Sequence, residues 1–106
     1  MSLRTEKVCE LIKGLAAEFL ARESDRTSII TVTRADVSND LKNATVYFTV
    51  YPEKSEEAAL LFAKRRRSEF KKYARDKMKM KRIPFFNFEI DEGEKNRQRI
   101  DELSKE

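Results

Sequence analysis

The chain has 106 residues, with 23 Lys and Arg, 19 Asp and Glu, no His, one Cys, two Gly and a net charge of +4. That length accommodates one domain built on one hydrophobic core. Without His the usual neutral-pH general base and metal ligand are missing, and Gly14 and Gly93 alone cannot form a Walker loop, a dinucleotide fingerprint or a GxxG phosphate clamp.

The opening Met1-Ser2-Leu3-Arg4 lacks the basic-then-apolar layout of a signal peptide, so a cytosolic location is expected. From Arg4 to Arg22, Val8, Leu11, Ile12, Leu15, Ala16, Phe19 and Leu20 share one stripe of an amphipathic helix. Gly14 within it costs about 1 kcal/mol relative to Ala and is expected to permit a close approach. Cys9, the lone thiol, excludes an internal disulfide and reads as inert and partly buried.

After a loop over residues 23–26, Ile29 to Val37 is rich in β-branched residues and predicts a strand. Its apolar parity changes between Ile30/Val32 and Ala35/Val37, which a bulge near Thr33 and Arg34 would reconcile. Ser38 to Asn43 carries turn residues, and Ser38 and Asp40 are expected to bond nearby backbone amides and close a hairpin. In the next strand Ala44, Val46, Phe48 and Val50 alternate with Thr45, Tyr47, Thr49 and Tyr51, giving an apolar and an amphipathic face. Pro52 ends it.

Ser55 is placed to cap a helix whose first turn holds Glu56 and Glu57. The run from Ala58 to Ala63 is the longest unbroken apolar stretch and is too short to span a membrane. The apolar stripe lapses between Phe62 and Phe70 across Lys64-Arg65-Arg66-Arg67-Ser68, so a kink or a junction of two helices is expected at Arg66, Arg67 and Ser68. Ile83-Pro84 breaks the helix, and Phe86, Phe88 and Ile90 alternate with Asn87 and Glu89 in a third strand. Residues 91–106 are polar and acidic and read as a flexible tail, with room for a short terminal helix, leaving 1–90 as the folded unit. The result is an α+β two-layer sandwich of order α-β-β-α(kinked)-β. Its helices lie on one face of a three-stranded mixed sheet, and the long crossover implies a parallel pair.

Residues 64–82 hold eleven cations against two acids, a balance of +9, while the other 87 residues sum to −5. A chain polarised in this way has the electrostatic footprint of a polyanion binder. The candidate contacts are Arg65, Arg66, Arg67, Lys71, Lys72 and Arg75, with Lys79, Lys81 and Arg82 approaching the third strand. Arg suits bidentate phosphate contacts and base stacking, and Lys acts as a point charge. Tyr47 and Tyr51 offer stacking platforms but are also ordinary strand formers. Glu89, Asp91, Glu92 and Glu94 lack the fixed spacing of a calcium loop and read as solubilising charge. A basic amphipathic helix over 58–78 that binds an anionic membrane or a partner is the alternative reading.

The element order is similar to a type II KH-like domain, and residues 4–100 resemble the ribosome-binding factor A family. The resemblance rests on Arg4 with Lys7-Val8, Thr31-Val32-Thr33, Val37-Ser38-Asn39-Asp40-Leu41, Ala44-Thr45-Val46-Tyr47, and Met80-Lys81-Arg82-Ile83-Pro84 with Phe86, Phe88 and Asp91. It implies a small monomeric factor, without catalysis or cofactor, that binds the 30S ribosomal subunit and its 16S rRNA. It further implies help in late maturation, including formation of the RNA's 5′ end, and a part in cold adaptation. The family's Ala-x-Gly kink falls on Arg66-Arg67-Ser68 here, and a missing Gly at a position of positive φ would alter the geometry.

Overall fold

The computed structural model describes residues 3–23, 27–78 and 82–104. Helix α1 (Leu3–Glu23) leads into strands β1 (Ile29–Val37) and β2 (Asn43–Tyr51), a single 3-10 turn (Glu53–Ser55), helices α2 (Glu56–Arg65) and α3 (Arg67–Met78), strand β3 (Phe85–Ile90) and helix α4 (Glu92–Ser104). The sheet order is β1-β2-β3. β1 pairs antiparallel with β2, and β2 pairs parallel with β3 across the α2–α3 crossover, as the sequence implies.

The bulge lies where the parity changes. Val32 pairs with Phe48 and Arg34 with Tyr47, so Thr33 is the extra residue. It carries the core face from Ile30 and Val32, which are half-buried, to Ala35 and Val37, which are buried. Ala44, Val46, Phe48 and Val50 of β2 are buried in one core with Ile12, Leu15, Ala16, Phe19 and Leu20 of α1. Phe70 of α3 sits at the centre, its ring 4.6 Å from Phe86, 5.3 Å from Phe19 and 5.8 Å from Phe88. Edge-on and tilted aromatic pairs of this kind add about 0.5–1.5 kcal/mol each beyond the area they bury.

The hairpin loop is tied by its own side chains. Ser38 Oγ donates to Asp40 Oδ1 (2.6 Å), the Lys42 amide donates to the same carboxylate (3.0 Å), and the Asn43 amide donates to Ser38 Oγ (3.1 Å). The Ser38 hydrogen bond, then the Lys42 amide, hold the Asp40 carboxyl below its ordinary pKa. Leu41 has φ of 60°, a conformation uncommon for leucine. Its half-buried side chain packs against the core, and its amide bonds the Ser38 carbonyl at 2.9 Å.

Five features depart from the sequence expectations. Gly14 faces outward, and a Cβ there would meet nothing within 4 Å, so it permits no close approach. Ser55 makes no side-chain capping bond, because the preceding 3-10 turn leaves it at φ −89°, ψ 0° instead of in the extended region a capping hydroxyl needs. β3 begins one residue early, at Phe85, whose side chain is 46% exposed. Thr49 is only 6% exposed, although it belongs to the outer face of β2. The cover is α4: Lys95 and Gln98 line a shallow cleft together with Thr49, Tyr51, Glu53 and Glu56.

That helix occupies most of the segment whose composition suggested a flexible tail. Asp91 caps it, accepting the Glu94 amide at Oδ1 (3.1 Å), while its own amide bonds the Phe48 carbonyl (2.8 Å). Lys95 is clamped by Glu53 (3.0 Å) and Glu56 (3.1 Å). Those carboxylates raise the Lys95 pKa, Glu53 first. Partners distant in sequence thus anchor the first turn of this helix.

Candidate nucleic-acid interface

The lapse in the apolar stripe is a break between two helices. Arg66, at φ −91° and ψ 6°, separates α2 from α3. Its amide still reaches the Phe62 and Ala63 carbonyls (3.1 Å each), and its carbonyl accepts the Phe70 amide (2.9 Å). The hydrogen-bond ladder is therefore bent without being severed. The negative φ is open to any residue, so the bend needs no glycine, and the absence of one from Arg66-Arg67-Ser68 is no obstacle.

The bend distributes the cations over two short helices. Lys64 and Arg65 at the end of α2, and Lys72, Arg75 and Lys77 along α3, are exposed, as is Arg82 before β3. Arg66, Arg67 and Lys71 are half-buried, and Ser68 is exposed in the first turn of α3. Lys79 and Lys81 lie outside the described residues. Within this segment Arg66 alone makes an ion pair among the described residues, to Glu69 at 2.8 Å. Its guanidinium carbon also lies 5.5 Å from the Phe62 ring centroid.

Arg67 is held differently. Its guanidinium carbon stands 4.9 Å from the Phe85 ring, and its buried Nε has no hydrogen-bond partner among the described residues. Phe85 is thus an exposed aromatic beside the cationic bend at the edge of the sheet. The alternation of Phe86, Phe88 and Ile90 marked the core positions of β3. It said nothing of Phe85, whose own outward parity was the available signal.

On the opposite flank Tyr73 joins α3 to α1. Its hydroxyl donates to Glu18 (2.9 Å), which raises its pKa, and Arg22 and Lys77 stand 5.2 and 5.8 Å from its ring. Arg22 therefore extends the cationic surface onto α1, a contribution that the local charge count of residues 64–82 could not reveal. Phe70, Ala74 and Met78 are buried, so the apolar side of α3 is committed to the core and is closed to a membrane. Among the described residues no helix is long and apolar enough to cross a membrane.

Several of the remaining candidates have structural partners. Arg34 lies 3.9 Å from the Tyr47 ring, while Tyr51 remains exposed. Cys9 is half-buried, and its thiol pKa is raised by burial. Of the acids near the third strand, Glu94 pairs with Arg97 (2.6 Å) and Glu92 lies 3.9 Å from Lys95. Asp91 is 9% exposed and accepts a hydrogen bond from the bulge residue, Thr33 Oγ1, at 2.6 Å. That bond, the Glu94 amide and Arg34, whose Nε lies 3.5 Å away, outweigh burial and depress the Asp91 pKa. The Asp-x-x-Glu spacing from Asp91 to Glu94 was a legible capping signal; the long-range bond to Thr33 was not.

Comparison with known proteins agrees with this architecture. A family model described as Ribosome-binding factor A matches residues 4–104. The ribosome-binding factor A of Thermobifida fusca is 33% identical over 103 residues, covering 94% of this chain and 68% of that protein. The crystal structure of ribosome-binding factor A from Thermus thermophilus is similar with a TM-score of 0.71 at 25% identity, covering 81% of this chain and 94% of that one. A homology model of the Thermus thermophilus factor, fitted into the cryo-EM map of its complex with the 30S subunit, gives a TM-score of 0.68 at 24% identity, covering 76% and 88%. With residues 4–104 matched by the family model and the overall fold shared with the Thermus thermophilus factor, the chain belongs to the ribosome-binding factor A family.

Proposed function

We propose that this protein binds the 30S ribosomal subunit through its 16S rRNA and assists late maturation of the subunit, including formation of the RNA's 5′ end. It acts in the cytoplasm, as a monomer and without catalysis. The observation that carries the reading is the cationic bend: Lys64, Arg65, Lys72 and Arg75 are exposed and have no ion-pair partner among the described residues. Uncompensated cations fixed on a packed scaffold suit a phosphate backbone, whose counterions they release on binding. The family membership and the relative fitted into a 30S complex support the choice of RNA.

Mechanistically, Arg65, Arg66, Arg67, Lys71, Lys72 and Arg75 grip phosphates across the two helices, with Lys79, Lys81 and Arg82 extending the grip toward β3. The packed sandwich holds that RNA segment in one arrangement until maturation proceeds. The test is co-sedimentation with separated ribosomal subunits, comparing wild type with Arg65→Glu/Lys72→Glu/Arg75→Glu after circular dichroism shows the variant folded. These three residues are exposed, so the fold should survive. Loss of 30S association in the variant is expected. Equal association would move the site elsewhere. With isolated rRNA, neutralising four to six phosphates gives a slope of log K against log salt of roughly −3 to −5. A slope near zero would remove the phosphate grip.

A further inference from the structure

A second feature lies on the other side of the bend, where α2 faces the end of α1 and the start of β1. A cleft of about 340 Å³ opens there, walled by Glu23, Ser28, Ile30, Ala59, Phe62 and Arg66. That volume falls toward the lower end of the range for small-ligand pockets, about 300–1,000 Å³. Its floor is apolar: Ala59 is buried, and Ile30 and Phe62 are half-buried. The rim carries one carboxylate and one guanidinium, and Arg66 is the same residue that bends the helix. The two charges are close enough for Glu23, after Glu69, to help raise the Arg66 pKa. Glu23 makes no side-chain hydrogen bond or ion pair among the described residues. It also ends α1, where the helix dipole disfavours a carboxylate.

We infer that this cleft receives one unstacked guanine of single-stranded RNA, with Glu23 reading its Watson–Crick edge. The inference rests on the RNA-binding reading above. A carboxylate presents two parallel acceptors, and guanine alone offers two parallel donors, N1–H and the N2 amino group, on that edge. Adenine and cytosine place a ring-nitrogen lone pair against one of the oxygens, and uracil flanks its single donor with two carbonyls. The Phe62 ring and the apolar floor supply the surface a base needs, and the guanidinium of Arg66 stands where the strand's phosphate passes onto the cationic helices. Base reading and backbone grip then meet at one residue.

The test is fluorescence anisotropy with labelled uridine hexamers carrying G, inosine or A at one central position. Inosine keeps N1–H and lacks the N2 amino group, so the expected order is G, then inosine, then A, with G over A by roughly tenfold. Glu23→Gln should abolish the preference while leaving affinity for the all-uridine strand unchanged. Ala58→Leu, which adds bulk to an exposed wall of the cleft, should do the same. Arg65→Glu/Lys72→Glu/Arg75→Glu should weaken all strands together and keep the order. Equal binding of the three strands by wild type, or a preference that survives Glu23→Gln, overturns the guanine cleft and leaves the phosphate grip standing. A preference shown by free GMP over AMP but absent from the strands assigns the cleft to a mononucleotide and overturns its RNA role. Failure to bind both the strands and the 30S subunit overturns the RNA reading itself, and this inference with it.

Discussion

Replacing Asp91 by Ala tests whether α4 is held mainly by one carboxylate. Asp91 caps the helix through the Glu94 amide and accepts the Thr33 hydroxyl at 2.6 Å, with its side chain 11% exposed. Losing an N-cap costs about 0.5–2 kcal/mol. A hydrogen bond to a charged group is worth about 1.5–3 kcal/mol. Both act through the same carboxylate and are not fully additive, so a loss of about 2–4 kcal/mol is expected. Urea unfolding followed by circular dichroism reads this as a midpoint lower by about 1–2 M, given m-values of about 1–3 kcal/mol/M. Thr33→Val removes the hydroxyl with little change of shape and should cost less. The double variant should show a coupling of about 0.5–3 kcal/mol. The pKa shift fixes the sign of the pH effect: Asp91 is depressed in the fold, so its contribution is present above the unfolded pKa and is lost as pH falls through the folded one. In acid the wild type should therefore approach the Asp91→Ala variant. A variant within about 0.5 kcal/mol of wild type at neutral pH, or full additivity with Thr33→Val, would refute this account of the α4 anchor.

Three other outcomes are expected. Gly14→Ala places a methyl where nothing lies within 4 Å, so it should stabilise by about 1 kcal/mol and raise the melting temperature by about 4–8 °C; no change would refute the helix-propensity account of this position. Asp40→Asn weakens the acceptor of the Ser38 hydroxyl and the Lys42 amide, so amide exchange at Lys42 and Asn43 should quicken. Wild type should show the same quickening only in acid, below the lowered pKa of Asp40, and unchanged exchange would count against the loop's side-chain lock. Phe85→Ala should cost little stability because the ring is 46% exposed, and it should weaken single-stranded RNA binding by about tenfold through loss of an aromatic surface beside Arg67; unchanged affinity would assign that ring no part in binding.

Much of the fold was legible because the relevant signals are local. The parity change between Val32 and Ala35 located the bulge, and the lapse between Phe62 and Phe70 located the bend to within two residues. The crossover length implied the parallel β2–β3 pair, and Ser38 with Asp40 implied the hairpin loop. What was hidden depends on residues distant in sequence. Composition argued against α4 because its segment is nearly devoid of apolar residues, whereas its anchors, Thr33, Glu53 and Glu56, lie 39–58 positions earlier. Ser55 looked like a cap until the 3-10 turn before it set its backbone. Within the candidate site, residues 64–82 announced the cations, but Arg22, Phe85 and Glu23 joined it only through folding.

The bend at Arg66 has a mechanical consequence. A glycine there would act as a soft joint, free to sample either sign of φ and to splay the two helices. Arginine has far less conformational room, and the retained hydrogen bonds on both sides of it narrow that room further. The separation between the cations of α2 and those of α3 is thereby fixed like the jaws of a set calliper. Under the proposed RNA-binding role, such a gauge would discriminate among RNA segments by the spacing of their phosphates, admitting a correctly folded backbone and not a misfolded one.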